Sequence, residues 1–208
     1  MERRSVVAFG VILASCPCAF GLNPSLRINQ YAHKAWTIRE GFFKSKVLSI
    51  AQTTDGYLWL GTDSGLVRFD GVRSVEWQPP AGEQLPSSFI RSLLAGRDGT
   101  LWIGTNRGLA SWKGGRLTRY PGLAGNDIQP LYEDREGTIW VGLPKRPSLS
   151  VCAIRRGNSE CSPEDGKFGT IPGAIYEDSS GNLWVETETG LWRWRPGPPI
   201  LYPMKEGA

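Results

Sequence analysis

Short apolar segments separated by turn residues determine the organisation of this chain. The apolar runs are brief, and Gly, Asp, Asn, Ser, Thr or Pro interrupts them at short intervals. Several runs are apolar at consecutive positions, as is typical of strands that are buried on both faces. Gly and Pro are abundant, at 26 and 15 residues, and both disfavour helices and form turns. The pattern therefore predicts an all-β fold of many short strands.

One apolar run occurs four times along the chain. The copies read TDGYLWLGTDSGL from Thr54, RDGTLWIGTNRGL from Arg97, REGTIWVGL from Arg135 and SGNLWVETETGL from Ser180. Each copy has a turn glycine three residues before a tryptophan. These structural pairs are Gly56 and Trp59, Gly99 and Trp102, Gly137 and Trp140, and Gly181 and Trp184. The tryptophans recur at intervals of 43, 38 and 44 residues, so the chain contains an internal repeat.

The similarity extends beyond the motif on both sides. An aliphatic residue lies nine positions before each tryptophan, at Ile50, Leu93, Leu131 and Ile175. An aromatic residue lies eighteen positions after three of them, at Trp77, Tyr120 and Tyr202. Each repeat thus holds four short strands, and stacking such sheets would bury their apolar faces. A period near 40 residues with four strands predicts the blade of a β-propeller, whereas a β-solenoid usually has shorter repeats.

The expected domain organisation follows from this register. It comprises a signal peptide at 1–21, a lead-in with an outer strand at 22–46, repeats at about 47–80, 90–121, 128–168 and 172–203, and a tail at 204–208. Repeat three loses its second turn and then enters a polar insertion from Arg155 to Phe168, which we expect to form a loop. Repeat four already has its own last strand, so the lead-in strand lacks a partner blade. We therefore expect about four blades in an incomplete ring with two exposed edges.

The N-terminus is typical of a secretory signal. Two arginines precede the apolar segment from Val6 to Ala14, which is too short to span a bilayer. Small residues at Ala19 and Gly21 suit an ordinary signal peptidase, while the residues before Cys16 resemble a lipobox that would lead to a lipid anchor. Both alternatives place the protein outside the cytoplasm. No later hydrophobic run is long enough for a transmembrane span.

Charge and cysteine content limit the chemistry. The net charge is +4 and the charges are dispersed without a basic block, so we expect no nucleic-acid partner. Cys152 and Cys161 could form a disulfide in an oxidising compartment, or remain as two free thiols. The whole chain has one histidine, so few side chains are available for metal binding or for acid–base catalysis. We therefore predict no metal site, no cofactor, no catalytic residues and no enzymatic activity.

Binding, in contrast, would use the loops at the faces of a propeller. Aromatic and cationic residues there are the candidate ligand-binding positions, although each one also suits a packed or solvated role. They are Tyr31, His33, Trp36, Arg68, Arg107 and Arg193.

The repeat resembles the two-component regulator propeller family. Glu133 to Gly142 matches the family pattern closely, as do Asp55 to Leu66 and Asp98 to Leu109, and the segment from His33 to Gly41 resembles the lead-in before a first repeat. The resemblance implies an extracytoplasmic sensor for a small ligand, with carbohydrate as one candidate, in a short or truncated member without membrane or kinase segments. Its partners would be further repeats or a signalling protein. A secreted lyase or glycosidase and a stand-alone binding scaffold remain alternatives.

Overall fold

Four antiparallel sheets of four strands each make up the fold. The computed structural model describes residues 27, 35–41, 44–145, 148–161, 169–195 and 198–204. Residues Trp36–Ala208 form one compact unit that contains all four sheets, and the preceding unit is Met1–Ala35. The described helical structure consists of two short 3-10 turns, Ile38–Glu40 and Pro121–Leu123. The predicted all-β blade architecture is confirmed.

Each sheet follows chain order and is here called a blade. Blade 1 contains β1 (Val47–Gln52), β2 (Leu58–Thr62), β3 (Leu66–Phe69) and β4 (Ser74–Trp77). Blade 2 contains β5 (Ile90–Ala95), β6 (Leu101–Thr105), β7 (Gly108–Lys113) and β8 (Arg116–Arg119). Blade 3 contains β9 (Leu131–Glu133), β10 (Ile139–Leu143), β11 (Ser150–Arg155) and β12 (Asn158–Cys161). Blade 4 contains β13 (Pro172–Glu177), β14 (Leu183–Thr187), β15 (Gly190–Arg195) and β16 (Ile200–Pro203).

The turn between the first two strands fixes the repeat tryptophan. In blade 3 a carboxylate oxygen of Asp134 accepts a hydrogen bond from the indole N–H of Trp140 at 2.7 Å. Asp178 and Trp184 form the same bond at 2.8 Å in blade 4. Gly137 has a φ of 83° in this turn, a conformation that L side chains rarely adopt. With the Asp-x-x-Gly-x-x-Trp spacing, one aspartate therefore both closes the turn and orients the indole.

The blades stack face to face. The face of each blade that bears the repeat tryptophan is here called the Trp face, and it packs on the aliphatic face of the next blade. Trp59, Trp102 and Trp140 are only 4%, 9% and 5% exposed. Each belongs to an apolar cluster with the middle strands of the following blade. The facing residues are Leu101 and Ile103 in blade 2, Ile139 and Val141 in blade 3, and Leu183 and Val185 in blade 4. These three tryptophans therefore pack between adjacent sheets.

A glycine in the second strand permits this close approach. A Cβ added at Gly104 would lie 2.2 Å from Ser92 Oγ in its own blade and 2.8 Å from Ile128 Cγ2 ahead of blade 3. Gly61 and Gly142 approach the following blade in the same way, with clashes below 3.0 Å on both sides. The glycine of the Trp-x-Gly motif thus serves blade stacking rather than a turn.

Arginines form polar contacts across two of the interfaces between blades. They lie in the turns between the first and second strands, and this set of contacts is here called the clamp. The backbone N–H and the Nε of Arg135 in blade 3 contact the Glu177 carboxylate of blade 4 at 2.9 and 3.2 Å. The same guanidinium donates to the Asp178 carbonyl oxygen at 2.6 Å. Arg97 contacts Glu133 equivalently between blades 2 and 3, at 2.8 and 3.2 Å. The clamp adds directional contacts to the apolar packing.

The two ends of the stack differ from its interior. On the Trp face of blade 4, Leu191 is 42% exposed, whereas its equivalents Leu66 and Leu109 are 2% and 1% exposed beneath a following blade. None of the four apolar clusters described for this chain joins blade 4 to blade 1. Over the described residues, the four blades therefore form an open stack and not a closed ring. At the other end, Trp36 lies 5.2 Å from Phe69 between ring centroids, edge to face.

The lead-in and repeat three depart from the sequence-based expectations. Residues 35–41 contain a 3-10 turn rather than an outer strand, although Trp36 packs on blade 1 much as an outer-strand aromatic of a preceding blade would. The predicted insertion loop from Arg155 to Phe168 instead supplies the end of β11 and the whole of β12, while residues 162–168 lie outside the described part. The extra residues of repeat three fall between β10 and β11, which delays its third strand.

A disulfide joins the last two strands of blade 3. Cys152 and Cys161 are directly opposed on β11 and β12, with an S–S distance of 2.02 Å. In the strand register this pair is equivalent to Val67 and Glu76 in blade 1 and to Ala110 and Arg119 in blade 2. The covalent link therefore ties the last strand of blade 3 to its neighbour on the face that packs on Trp102.

Candidate ligand-binding groove

The residues predicted to bind a ligand lie on different blades. Arg68 and Arg193 occupy equivalent positions, each opposite the repeat tryptophan, in blades 1 and 4. Arg107 lies in the turn after β6, and its N–H donates to a threonine hydroxyl of that turn at 3.1 Å. Tyr31 and His33 lie outside the described residues. The described members of this set are thus not gathered in a single site.

Two of the predicted residues make contacts within blade 1. The guanidinium carbon of Arg68 lies 3.4 Å from the centroid of the Tyr57 ring, and a guanidinium nitrogen lies 3.8 Å from Asp55 Oδ2. A hydrogen bond from a neighbouring threonine hydroxyl is the main cause that lowers the pKa of Asp55. Trp36 packs on Phe69. These contacts give both residues a structural role.

A groove between blades 2 and 3 brings together a different set of residues. Its volume is about 440 Å³. Trp102 and Tyr120 form the aromatic floor, and Asp98 and Lys113 lie on the blade 2 rim. Arg156 lies on the blade 3 wall. This cavity, here called the blade 2–3 groove, is lined by residues of β6, β7 and β8 on one side and by residues of blade 3 on the other.

The floor of the groove offers aromatic surface and hydroxyl groups. The rings of Trp102 and Tyr120 have centroids 5.3 Å apart and are tilted by 35°. The Tyr120 hydroxyl lies 3.2 Å from Ser111 Oγ, and the two share a hydrogen bond. Burial raises the pKa of Tyr120, while the Ser111 bond opposes this rise. The phenol is therefore protonated at neutral pH and can donate or accept a hydrogen bond.

The blade 2 rim carries one paired carboxylate and additional positive charge. Lys113 Nζ donates to Asp98 Oδ2 at 2.5 Å, and the Thr100 N–H donates to Asp98 Oδ1 at 3.0 Å. Partial burial acts to raise the pKa of Asp98, but these hydrogen bonds outweigh it and the pKa is lowered. Arg116 is the cross-strand neighbour of Lys113 in the hairpin β7–β8. The rim is thus net positive.

The opposite wall holds an arginine in a strained backbone conformation. Arg156, in the β11–β12 turn, has a φ of 49° and is the one non-glycine residue with positive φ in the described part of the chain. Gly157 follows with a φ of 83°. Two-residue turns of this kind favour Asn-Gly or Gly-Gly, and a non-glycine residue there costs about 1 kcal/mol. Such strain tends to occur at functional positions.

Together these groups can bind a flat, polar and negatively charged molecule. The aromatic floor offers apolar contact to one face of a ligand, and the hydroxyls offer hydrogen bonds. Lys113, Arg116 and Arg156 outweigh Asp98, so a carboxylate or sulfate would be favoured. Among the residues that the structure describes, no cluster of three or more His, Cys, Asp or Glu is placed to hold a metal.

The sequence did not indicate this groove because its walls come from two repeats. Trp102 and Tyr120 were recognised as repeat positions, and Asp98 as a turn residue. The signal for the rim lies in the KGGR hairpin, where Lys113 and Arg116 flank two glycines and must be cross-strand neighbours. Their opposition to Arg156 appears only when blades 2 and 3 are stacked.

A wider depression lies along the edge of blade 1. It measures about 770 Å³ and includes the exposed pair Lys44 and Glu76, whose charged atoms are 2.7 Å apart. Trp77 supplies its aromatic surface. Its charged side chains are this one ion pair, whereas the blade 2–3 groove combines two aromatic rings with four charged side chains and is therefore the better candidate site.

Known proteins agree with this architecture. The extracellular domain of the one-component or hybrid two-component system BT4673 from B. thetaiotaomicron is 20% identical, with a TM-score of 0.65 over 76% of this chain and 22% of that one. Virginiamycin B lyase from Staphylococcus aureus is 17% identical, with a TM-score of 0.62 over 79% of this chain and 58% of that one. The chain thus spans about a fifth and three fifths of their lengths. No curated protein matches it.

A family model agrees with the register of the blades. The model described as "Two component regulator propeller" matches residues 41–64, 84–107 and 122–144. Each match ends just beyond the second strand of a blade and covers its first two strands and their turn. The three matches are in phase with blades 1 to 3, and the chain therefore carries repeats of the two-component regulator propeller family.

Proposed function

We propose that this chain is a non-catalytic, ligand-sensing propeller segment of an extracytoplasmic signalling protein. Its repeats are of the two-component regulator type, and similar structures include extracellular domains of such systems. No helix in the described part of the chain is long and apolar enough to cross a membrane. In this proposal the segment passes its signal on through a further segment or a signalling partner.

The blade 2–3 groove is the ligand site in this proposal. The observation that supports it most is the combination of an aromatic floor with a strained arginine. Tyr120, half-buried beside the buried Trp102, provides the platform on which a pyranose ring can pack. Arg156 faces this platform in a left-handed conformation that stability alone would disfavour. Together with the positive rim, this arrangement favours an acidic saccharide over a neutral one.

A binding experiment with a defined probe tests the site. Tetragalacturonate would be titrated into the full chain and followed by calorimetry and tryptophan fluorescence, with cellotetraose as the neutral comparison. We expect the acidic probe to bind at least tenfold more tightly than the neutral one. Fluorescence should change because Trp102 lies in the floor of the groove.

Matched variants assign the binding to the groove. Arg156→Asn removes the charge but keeps a residue that tolerates positive φ, so it should weaken binding at least fivefold without loss of fold. Arg73→Asn alters an exposed arginine of the corresponding β3–β4 turn in blade 1 and should leave binding unchanged. Absence of tetragalacturonate binding, or equal affinity in both variants, would contradict the proposed site.

The proposed location has a separate test. Residues 1–46 would be fused to a phosphatase that is active only outside the cytoplasm, with a version lacking residues 1–21 as the control. We expect activity from the first fusion alone. Equal activity of both fusions, or inactivity of both, would count against an extracytoplasmic location directed by this segment.

A further inference from the structure

The Trp face of blade 4 differs at the position that governs blade stacking. In blades 1 to 3 a glycine follows the tryptophan by two residues and admits a residue at or just before the first strand of the next blade. Its clash partners there are Ile90, Ile128 and Pro172. Blade 4 has Glu186 at this position, and it is exposed. Its own first strand has Gly173, and a Cβ there would lie 2.8 Å from Glu186 Oε2.

This exchange disfavours another blade in the usual register. The Glu186 side chain folds over Gly173 of its own blade, and an aliphatic side chain of a following blade would come against its carboxylate. Burying its carboxylate against such a residue without a partner is strongly unfavourable. The equivalent residue of blade 1 is Val47, and the aliphatic face of that blade already carries Trp36. Head-to-tail stacking of two copies is therefore disfavoured.

The same face nevertheless exposes a large apolar surface. Tyr176, Leu191 and Tyr202 are 60%, 42% and 46% exposed. They lie on the same side of the sheet as Trp184, whose ring centroid is 5.4 Å from that of Tyr202. A contiguous patch of this kind marks an interaction surface. Its partner must also accommodate the carboxylate of Glu186.

Arg193 supplies the complementary charge on this face. It lies opposite Trp184 in the sheet, two residues along β15 from Leu191. Its Nε is buried and has no hydrogen-bond partner among the described residues. The face thus holds one acidic group, one basic group and apolar residues beside them. A surface with both charges can satisfy them across a two-fold axis.

We propose that the Trp face of blade 4 binds the same face of a second copy. In this isologous pair, Glu186 of each copy meets Arg193 of its partner while the aromatic and aliphatic residues pack between the sheets. The repeating interface of blades 1 to 3 is replaced at its end by a self-complementary one. One face of four short strands is small for an interface, so the dimer should be weak.

Sedimentation of the full chain tests the association. Between about 1 and 200 µM, we expect a shift from monomer to dimer, in the affinity range of a small interface. Glu186→Arg and Arg193→Glu should each weaken the dimer at least tenfold, because like charges then meet across the axis. Glu160→Arg, on the exposed outer strand of blade 3, is the control and should leave it unchanged.

Mixing the two reversed variants identifies the geometry. An equimolar mixture should form a heterodimer within about threefold of the wild-type affinity, because each altered charge then meets its opposite. A wild-type chain that stays monomeric throughout would overturn the proposal. So would reversed variants that dimerise normally, or a mixture that stays monomeric, since these results would indicate another surface or none.

Discussion

The glycine at the blade interface gives the most direct energetic prediction. Gly104→Ala places a methyl group 2.8 Å from Ile128 Cγ2, about 0.6 Å short of the 3.4 Å at which ordinary contact begins. It also lies 2.2 Å from Ser92 Oγ within blade 2. Ile128 is fully buried and has little room to move. Overpacking of this kind costs about 1–3 kcal/mol, and two simultaneous clashes favour the upper half of that range.

Thermal unfolding followed by circular dichroism measures this cost. For a domain of this size, about 2–3 kcal/mol corresponds to a decrease in Tm of about 4–12 °C. Glu186→Ala is the matched control, because blade 4 already accommodates a side chain at the equivalent position, and its Tm should change by less than about 2 °C. Equal stability of Gly104→Ala and the wild type would refute the stacking geometry.

Three further perturbations have defined outcomes. Replacing both Cys152 and Cys161 with serine should destabilise the chain by about 2–3 kcal/mol, as expected for a short disulfide loop, and reductant should reproduce the loss in urea unfolding only in the wild type. The indole N–H of Trp184 is the main cause that lowers the pKa of Asp178 to about 2, so its stabilisation is complete above about pH 4 and is lost as the pH falls towards 2. Asp178→Asn should therefore lose less stability than the wild type between these pH values, and an identical acid titration would contradict this. Arg135→Ala should cost about 1–2 kcal/mol in urea unfolding because a nearly buried glutamate loses its ion pair and keeps only the backbone N–H, and a change below about 0.3 kcal/mol would argue against the clamp.

The sequence was sufficient for the blade architecture because the same physical requirement recurs four times. Trp102 and its equivalents must be buried, and the turn glycines must adopt positive φ, so the register of strands follows from spacing alone. The predicted strand positions of repeat three were wrong beyond β10. The connection between β10 and β11 is longer than in the other repeats, and it shifts the last two strands along the sequence. Cys161 then fell in an expected loop rather than at the end of a strand.

The candidate groove depends on contacts between repeats, which spacing does not reveal. Arg156 was one of many dispersed charges in the sequence, and its left-handed backbone appears only in three dimensions. The sequence pointed instead to residues such as Arg68. This arginine lies opposite a tryptophan within a single sheet and stacks on aromatic rings of the same blade. The role of Glu186 likewise became clear only when the glycines at equivalent positions were seen to face the next blade.

Hydroxyl-radical footprinting of the four repeat tryptophans tests the open stack most directly. It would be done by mass spectrometry at a concentration where the chain is monomeric. Trp59, Trp102 and Trp140 are buried by a following blade, and Trp184 lies on the free face, so Trp184 should be oxidised several times faster than the other three. Protection of Trp184 equal to that of Trp140 would mean that its face is covered, and equal oxidation of all four would mean that the blades do not stack.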